Sequence, residues 1–492
     1  MSHAARSVVM TEEVASKASR HLLRSDGQED LCFALWRPST GSTRTTAIIQ
    51  RLVLPRPGDR NVHGNASFEP AYLQRAMAEA AAAGTGLALM HSHPMGRGWQ
   101  NMSADDIRAE QGNAGPVFGA TGRPFVGLTI AGNKSWSARF WERIAPRTYE
   151  RRDCAKVRVV GERLAMHYMD RLAPPPRTRD TQIRTVSAWG EECQADLARI
   201  RIGLVGAGTV GGVIAEGLAR IGFEDVRALD FDIVEKHNLD RLSYATRRDV
   251  GKFKVDVLAE RMKRIATAEP FNIDPLKNAV YEPEGFAAAL DCDVLFSCVD
   301  RPWGRYVLNL VAYAHLIPVF DGGIAVRVNK LGKLAAADWR AHTATVGRPC
   351  LQCLGQYDPG LVQVEREGLL DDPDYIEGLP RDHPAKMREN VYAFALSCGS
   401  FQLLQMLAYT IAPLDRSAPG AQLYHFVGGF MEPPELNSCK PGCVFPELVG
   451  SGDDCGIPAT GIRSIGLVPH EASAKREWWL QRALRWLGVT AG

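Results

Sequence analysis

Residues 200–232, IRIGLVGAGTVGGVIAEGLARIGFEDVRALDFD, read as an apolar strand, a glycine-rich turn, a helix and a second apolar strand. Apolar strands alternating with helices imply a parallel, doubly wound sheet. A strand over 293–299 and a helix from Gly304 continue it to about residue 330. Gly206, Gly208 and Gly211 form GxGxxG between the first strand and its helix. In that context glycines permit a tight turn, and the backbone N–H groups at the helix start hold phosphates. The pattern alone suits NAD as readily as ATP.

The residues that follow decide between them. LDFDIVEKHNLDRLSY (229–244) supplies Asp230, Asp232, Asn238 and Arg241, DVGKFK ends at Lys254, and FSCVDRPWGRYVLN (296–309) carries Asp300 and Arg305. This series resembles the adenylyltransferase domain of ubiquitin-activating enzymes and of the ThiF/MoeB/HesA group, from about Arg184 to Ile324 and more loosely to Cys443. The resemblance implies an ATP site built on the three glycines and Asp232, with Asp230 on the ribose. Arg241 and Lys254 would contact the phosphates with help from Asn238, and Asp300 would carry magnesium. Arg184 matches the arginine that in this group reaches across a dimer to a neighbouring ATP. The residue types agree with that chemistry: attack of a carboxylate on an α-phosphate builds charge that cations and magnesium stabilise.

A second constellation lies in MHSHPMGRGWQNMSADD, residues 90–106. Alternate residues of a strand point the same way, so His91 and His93 present two imidazoles to one side before Pro94 stops the strand. Two neutral imidazoles and a carboxylate, Asp106, make a catalytic zinc set with one position open for water. Ser103 stands where a helix begins, so its hydroxyl caps that helix or bonds the reacting oxygen. Each half alone is a common coincidence. Together they resemble the JAMM (MPN-plus) metalloprotease motif, in which a glutamate at a helix-to-strand transition activates the zinc-bound water. Glu29 holds that position, with Glu69 in a loop and Glu79 mid-helix as competitors.

Cys350 and Cys353, with Cys439 and Cys443, form two close pairs suited to a structural tetrahedral zinc. Cys455 is an alternative ligand. Ubiquitin-activating enzymes also carry an acceptor cysteine shortly after the first pair, but residues 354–379 contain none, which leaves Cys455 as the first candidate for a thioester.

The 492 residues, at ~100–200 per domain, predict two to four domains. Residues 1–145 read as a JAMM-type mixed α/β domain, 146–182 as a basic, Pro-containing linker, 183–470 as a doubly wound Rossmann-like ATP-binding domain with a zinc-knuckle region, and 471–492 as an amphipathic tail with Trp478, Trp479 and Trp486. A formal charge of +2 argues against nucleic acid or an anionic membrane as the main partner. No apolar run reaches the ~20 residues of a membrane helix, and the start lacks a signal-peptide core, so a cytoplasmic chain is expected. Eleven cysteines suit a reducing compartment better than a disulfide framework.

The resemblances together imply a bifunctional enzyme of a prokaryotic ubiquitin-like pathway, some of which serve antiphage defence. It would cleave at a modifier's C-terminus with zinc and adenylate that C-terminus with ATP. The expected partners are a small ubiquitin-like or sulfur-carrier protein, a conjugating enzyme and a second copy in a homodimer. The rival readings are sulfur-carrier activation for cofactor or cysteine biosynthesis, and a binding scaffold with inactive sites.

Overall fold

A computed structural model describes residues 4–456, apart from 178, 380–389 and 433–435. The expected tail, 471–492, lies outside the described residues.

The N-terminal unit is a nine-stranded sheet in the order Leu164–Tyr168, Lys156–Val160, Ala5–Thr11, Arg44–Val53, Leu31–Thr40, Gly86–His93, Phe125–Ala131, Trp136–Ala145, Thr148–Asp153. Period-two alternation splits the strand Leu31–Thr40 between two cores. Cys32, Ala34 and Trp36 face the helix Glu12–Leu22. Leu31, Phe33 and Leu35 face the helix Pro70–Ala82, with Ala114 and Val117 of the helix Ala104–Thr121 in the same core.

The stretch 146–182 is not the spacer expected of it. Residues 148–153, 156–160 and 164–168 are strands of this sheet, with Lys156–Val160 paired in parallel to Ala5–Thr11. Basic as the stretch is, Arg158 is 1% exposed, beside the Asp293 carboxylate of the second unit.

The second sheet has eight strands: Asn272–Leu276, Asp225–Leu229, Arg201–Val205, Val294–Ser297, Val319–Val328, Leu334–Ala344, Gln422–His425 and Phe430–Glu432. The first five are parallel and the rest antiparallel. Strand order reverses direction between Arg201–Val205 and Val294–Ser297, the topological switch point where such sheets bind ligands beyond their carboxyl ends.

The helix Tyr392–Ile411 is long and apolar enough by composition to cross a membrane, contrary to the expectation that no such run exists. In this fold it packs on the helix Thr209–Ile221 and on the strands Val319–Val328 and Leu334–Ala344. Its buried Gln402 donates to the carbonyls of Ser297 and Phe320 at 3.0 and 2.9 Å, and Gln405 accepts from Thr343 at 2.8 Å. Those polar contacts belong to a protein core.

Two buried carboxylates join the units. Asp291 accepts from the backbone N–H of Thr43 and Arg44 and from Arg227. Asp293 takes Arg44 at 2.5 Å, Lys156 at 2.5 Å and the backbone N–H of Arg201 at 3.0 Å. Both are 0% exposed. Further on, Asp453 binds Thr40, and Asp454 pairs with Arg37. The φ of +57° at Gly452, and the 2.2 Å that a Cβ there would leave to the Pro38 carbonyl, show why glycine is needed at this close approach.

Candidate functional sites

The first site lies at the carboxyl end of the strand Gly86–His93. His93 Nε2 and His91 Nε2 lie 3.5 and 3.7 Å from separate oxygens of Asp106, and one donor atom of each residue falls within 4.8 Å of the others. Asp106 is presented by a capping box: its backbone N–H donates to Ser103 Oγ at 3.1 Å, and its carboxylate accepts from the Ser103 N–H at 2.9 Å. Ser103 is therefore the helix cap, one of its two expected roles. Burial, then the charge of Arg139, lowers the His91 pKa to about 3, so this imidazole is neutral and fit to be a ligand. Burial would raise Asp106, but the hydrogen bonds from His93 and Ser103 outweigh it and hold the carboxylate low.

Glu29 joins this site through sheet register. Leu31 pairs with His91 across antiparallel strands, so Glu29, two residues earlier, comes level with His93. The long sequence separation from His91 is taken up by a hairpin, Arg60–His63 with Asn65–Phe68, and the helix Pro70–Ala82. Burial raises the Glu29 pKa, with His93 opposing and Asp106 adding, which places its carboxylate in the field of both ligands. Glu79 instead meets Arg51 and Arg75, and Glu69 meets Asn61.

The second site lies at the switch point. Gly206 has φ +98°, and a Cβ there would come 2.5 Å from the Cys298 carbonyl. Gly211 lets its helix approach the Gly206 carbonyl, whereas a Cβ on Gly208 would meet nothing within 4 Å. The open space is at the N-terminus of the helix Thr209–Ile221, where no side chain caps the backbone donors. Two substitutions should therefore separate. Gly206→Ala should lose at least ~1–2 kcal/mol, the cost of a left-handed non-glycine residue, read as a lower melting temperature. Gly208→Ala should melt like the wild type but bind ATP more weakly in calorimetry.

Around that turn, Asp230 accepts from the Ala207 N–H at 2.6 Å and from the Asp232 N–H at 2.8 Å. Burial raises its pKa to about 6 against the pull of Lys254. Lys254 pairs with Asp232 at 2.7 Å; burial opposes its charge, but Asp230, Asp232 and Asp300 together keep its pKa raised. Asp300 is exposed in the loop that follows Val294–Ser297. Asn238 is 6% exposed, and its side-chain oxygen accepts from the Glu235 N–H at 3.0 Å. Arg241 donates to the His237 carbonyl and pairs with Asp240 at 3.0 Å. Arg184 is exposed on the short helix Ile183–Trp189. Tyr244, missed in the sequence, donates to the Ala207 carbonyl and packs on Gly212, so it buttresses the turn from below. Its signal was its place at the end of the LDRLSY stretch.

Cys350, Cys353, Cys439 and Cys443 converge with their sulfurs within 4.8 Å of one another. The Cys350–Cys443 separation of 3.6 Å is close to the ~3.8 Å that four zinc–sulfur bonds of ~2.3 Å impose in a tetrahedron. Backbone N–H groups of Cys350, Cys353 and Lys440 point at Cys439, Cys350 and Cys353, which favours thiolates. The donor set fits zinc.

Cys455 is not among them. Its sulfur lies 3.7 Å from Nε2 of His315, whose Nδ1 is 2.8 Å from Ser39 Oγ. His315 follows the C-terminal end of the helix Pro302–Ala314, which starts just after Asp300. Thirteen residues at ~1.5 Å each carry the chain about 20 Å away from the phosphate turn. Burial, then Asp453, pushes the thiol to about 11. Of the nearby glycines, Gly450 lies against Ile48 and Gly452 against Pro38 of the N-terminal sheet.

Strand order, phosphate turn and acid–lysine cluster define a Rossmann-like domain. The ThiF family model matches residues 180–412. Over 163 residues the chain is 28% identical to molybdopterin-synthase adenylyltransferase of Escherichia coli, covering 33% of this chain and 61% of that protein. It is 27% identical over 165 residues to the SAMP-activating enzyme E1 of Haloferax volcanii, covering 34% and 57%. It is 32% identical over 147 residues to tRNA threonylcarbamoyladenosine dehydratase 2 of Saccharomyces cerevisiae, covering 29% and 32%. The chain thus spans about a third to three fifths of these relatives. Among solved structures, E. coli MccB with MccA-N7isoASN is 15% identical, with a TM-score of 0.43 over 55% of this chain and 75% of that one.

Proposed function

We propose that the chain adenylates the C-terminal carboxylate of a small ubiquitin-like or sulfur-carrier protein and, at its other site, hydrolyses the bond that extends or conjugates that C-terminus. The observation that carries the first half is Lys254 set among Asp230, Asp232 and Asp300 around an open phosphate turn, within the segment that matches ThiF. A carboxylate oxygen attacks the α-phosphorus, the bond to pyrophosphate breaks, and acyl-AMP and pyrophosphate form. Lys254 and the helix N-terminus offset charge on the phosphate oxygens, Asp230 would hold the ribose, and Asp300 would hold a magnesium ion that supplies further charge stabilisation. Arg241 turns from Asp240 to the phosphates, and Arg184 serves the ATP of a second copy in a dimer.

The second half rests on Glu29 brought level with His93 beside Asp106. His91, His93 and Asp106 would hold a zinc ion, which supplies a Lewis acid and an activated water. Glu29, its pKa raised, takes a proton and passes it to the leaving amine. We place the chain in a reducing cytoplasm, where four thiolates keep a structural zinc. A ubiquitin-like modification pathway with a conjugating enzyme, including one of antiphage defence, accommodates both activities. Sulfur-carrier activation accommodates the first.

The test uses a panel of small ubiquitin-fold proteins with free or amidated C-termini. ATP–pyrophosphate exchange is expected with at least one free carboxylate and with none of the amides; exchange equal for both forms would refute carboxylate activation. Elemental analysis should give two zinc ions per chain. His91→Ala should lose one with little change in melting, and Cys350→Ser the other with a lower melting temperature. Equal melting losses would argue against the division into catalytic and structural sites.

A further inference from the structure

The loop that carries Asp300 is gripped by a segment that none of these steps uses. It leads into the helix Pro302–Ala314, whose N-cap residue, Arg301, provides no side-chain cap. The first N–H groups of a helix need outside acceptors, and a buried one left without a partner is costly. Here the acceptor comes from far along the chain: Glu365 takes the Trp303 N–H on Oε2 at 2.8 Å. Glu365 is 1% exposed and belongs to the helix Pro359–Arg366, which follows the first cysteine pair and packs on Pro302–Ala314.

Further contacts fix the same bend. Arg301 pairs with Asp371 at 2.7 Å, each side chain about a third exposed. The buried Trp303 ring stacks on Tyr281, with centroids 3.8 Å apart and planes 6° apart. Nearer the cysteines, Asn309, 0% exposed, accepts from the Leu351 N–H at 3.0 Å and donates to the Tyr357 hydroxyl at 3.3 Å. The chain from Leu351 to Asp371 thus follows this helix to its N-terminus and holds the residues immediately after Asp300. A loop already held when its ligand arrives leaves that ligand little ordering cost to meet.

We propose that Glu365, with Asp371, is a positioning clamp that holds Asp300 ready for the divalent cation that accompanies ATP. The clamp rests on the reading of Asp300 as the magnesium carboxylate. The surroundings suit such a cation: Asp300 is exposed, lies within the field of Lys254, and follows by two residues Cys298, whose carbonyl stands against the phosphate turn.

Calorimetry on the full chain reads ATP affinity in Mg²⁺ and in EDTA, and the ratio of the two is the gain due to the metal. Asp300→Ala should remove most of that gain. Glu365→Ala should cut it by about 3–30-fold, the range of a lost helix cap, while Glu365→Gln, whose amide oxygen still accepts from Trp303, should recover it. Asp371→Arg, which turns an exposed pair repulsive, should cut it about twofold to fivefold. Glu367→Arg, the same charge change at an exposed neighbour, should leave it unchanged. ATP affinity in EDTA, set by the glycine turn and Lys254, should weaken in none of the Glu365 and Asp371 variants. An effect of Asp371→Arg no larger than that of Glu367→Arg would overturn the clamp, as would a wild-type gain in Glu365→Ala. If Asp300→Ala kept the wild-type gain, the magnesium reading would fall, and the clamp with it.

Discussion

Lys254→Ala is expected to lower ATP–pyrophosphate exchange by at least ~10²-fold, the usual loss when a charge that stabilises a transition state is removed. The lysine ammonium faces Asp230, Asp232 and Asp300, and without it those three carboxylates lose the ammonium that offsets their charge beside the phosphates. The pH profile should move as well. Lys254 lowers the Asp230 pKa that burial raises to about 6, so its loss lifts that pKa further and displaces the acid limb of exchange to higher pH. Asp300→Ala should abolish exchange while leaving peptide-bond cleavage intact. An unchanged rate in Lys254→Ala would show that the cluster is structural.

Asp293→Ala should cost about 3–5 kcal/mol, the penalty for stranding buried charges by removing their partner. Arg44, Lys156 and Arg158 all converge on this carboxylate, with side-chain exposures of 4%, 12% and 1%. Burial alone would raise the Asp293 pKa, but Lys156, Arg44 and Arg158 outweigh it and hold it well below the carboxylate range. A lowered folded pKa stabilises the protein above the unfolded value, and that stability is lost only as pH falls through the folded one. The wild type should therefore keep its units together in acid where the variant melts, as urea unfolding at pH 4 and pH 7 will read. Identical midpoints for the two proteins would discount the network.

The second site was legible in sequence because its elements are local: the glycine turn, Asp230 at the end of the next strand and Lys254 at the following helix start lie in chain order around one switch point. His91, His93 and Asp106 were legible for the same reason. Glu29 rested on resemblance, because only strand register brings it level with His93. Tyr244 acts through contacts that spacing does not announce. The strands within 148–168 were hidden by their charges, since Arg158 and Lys156 read as solvated until Asp293, far along the chain, covers them. Cys455 drew attention as a reactive thiol because sequence shows neither its burial nor its place at the far end of a helix.

The buried junction at Asp291 and Asp293 also sets how far apart the two sites stand. The strand Leu31–Thr40 starts beside Glu29 and ends at the junction, a span of about 30 Å at ~3.3 Å per residue. From Asp293 the strand Val294–Ser297 runs on, by roughly another 13 Å on the same rise, to the loop of Asp300. The two sites therefore stand at the far ends of strands that meet at this junction. Under the proposed function, an extended tail of six residues would reach only about 20 Å, less than the strand between Glu29 and the junction, so a carboxylate freed at one site would have to leave it before the other could take it up.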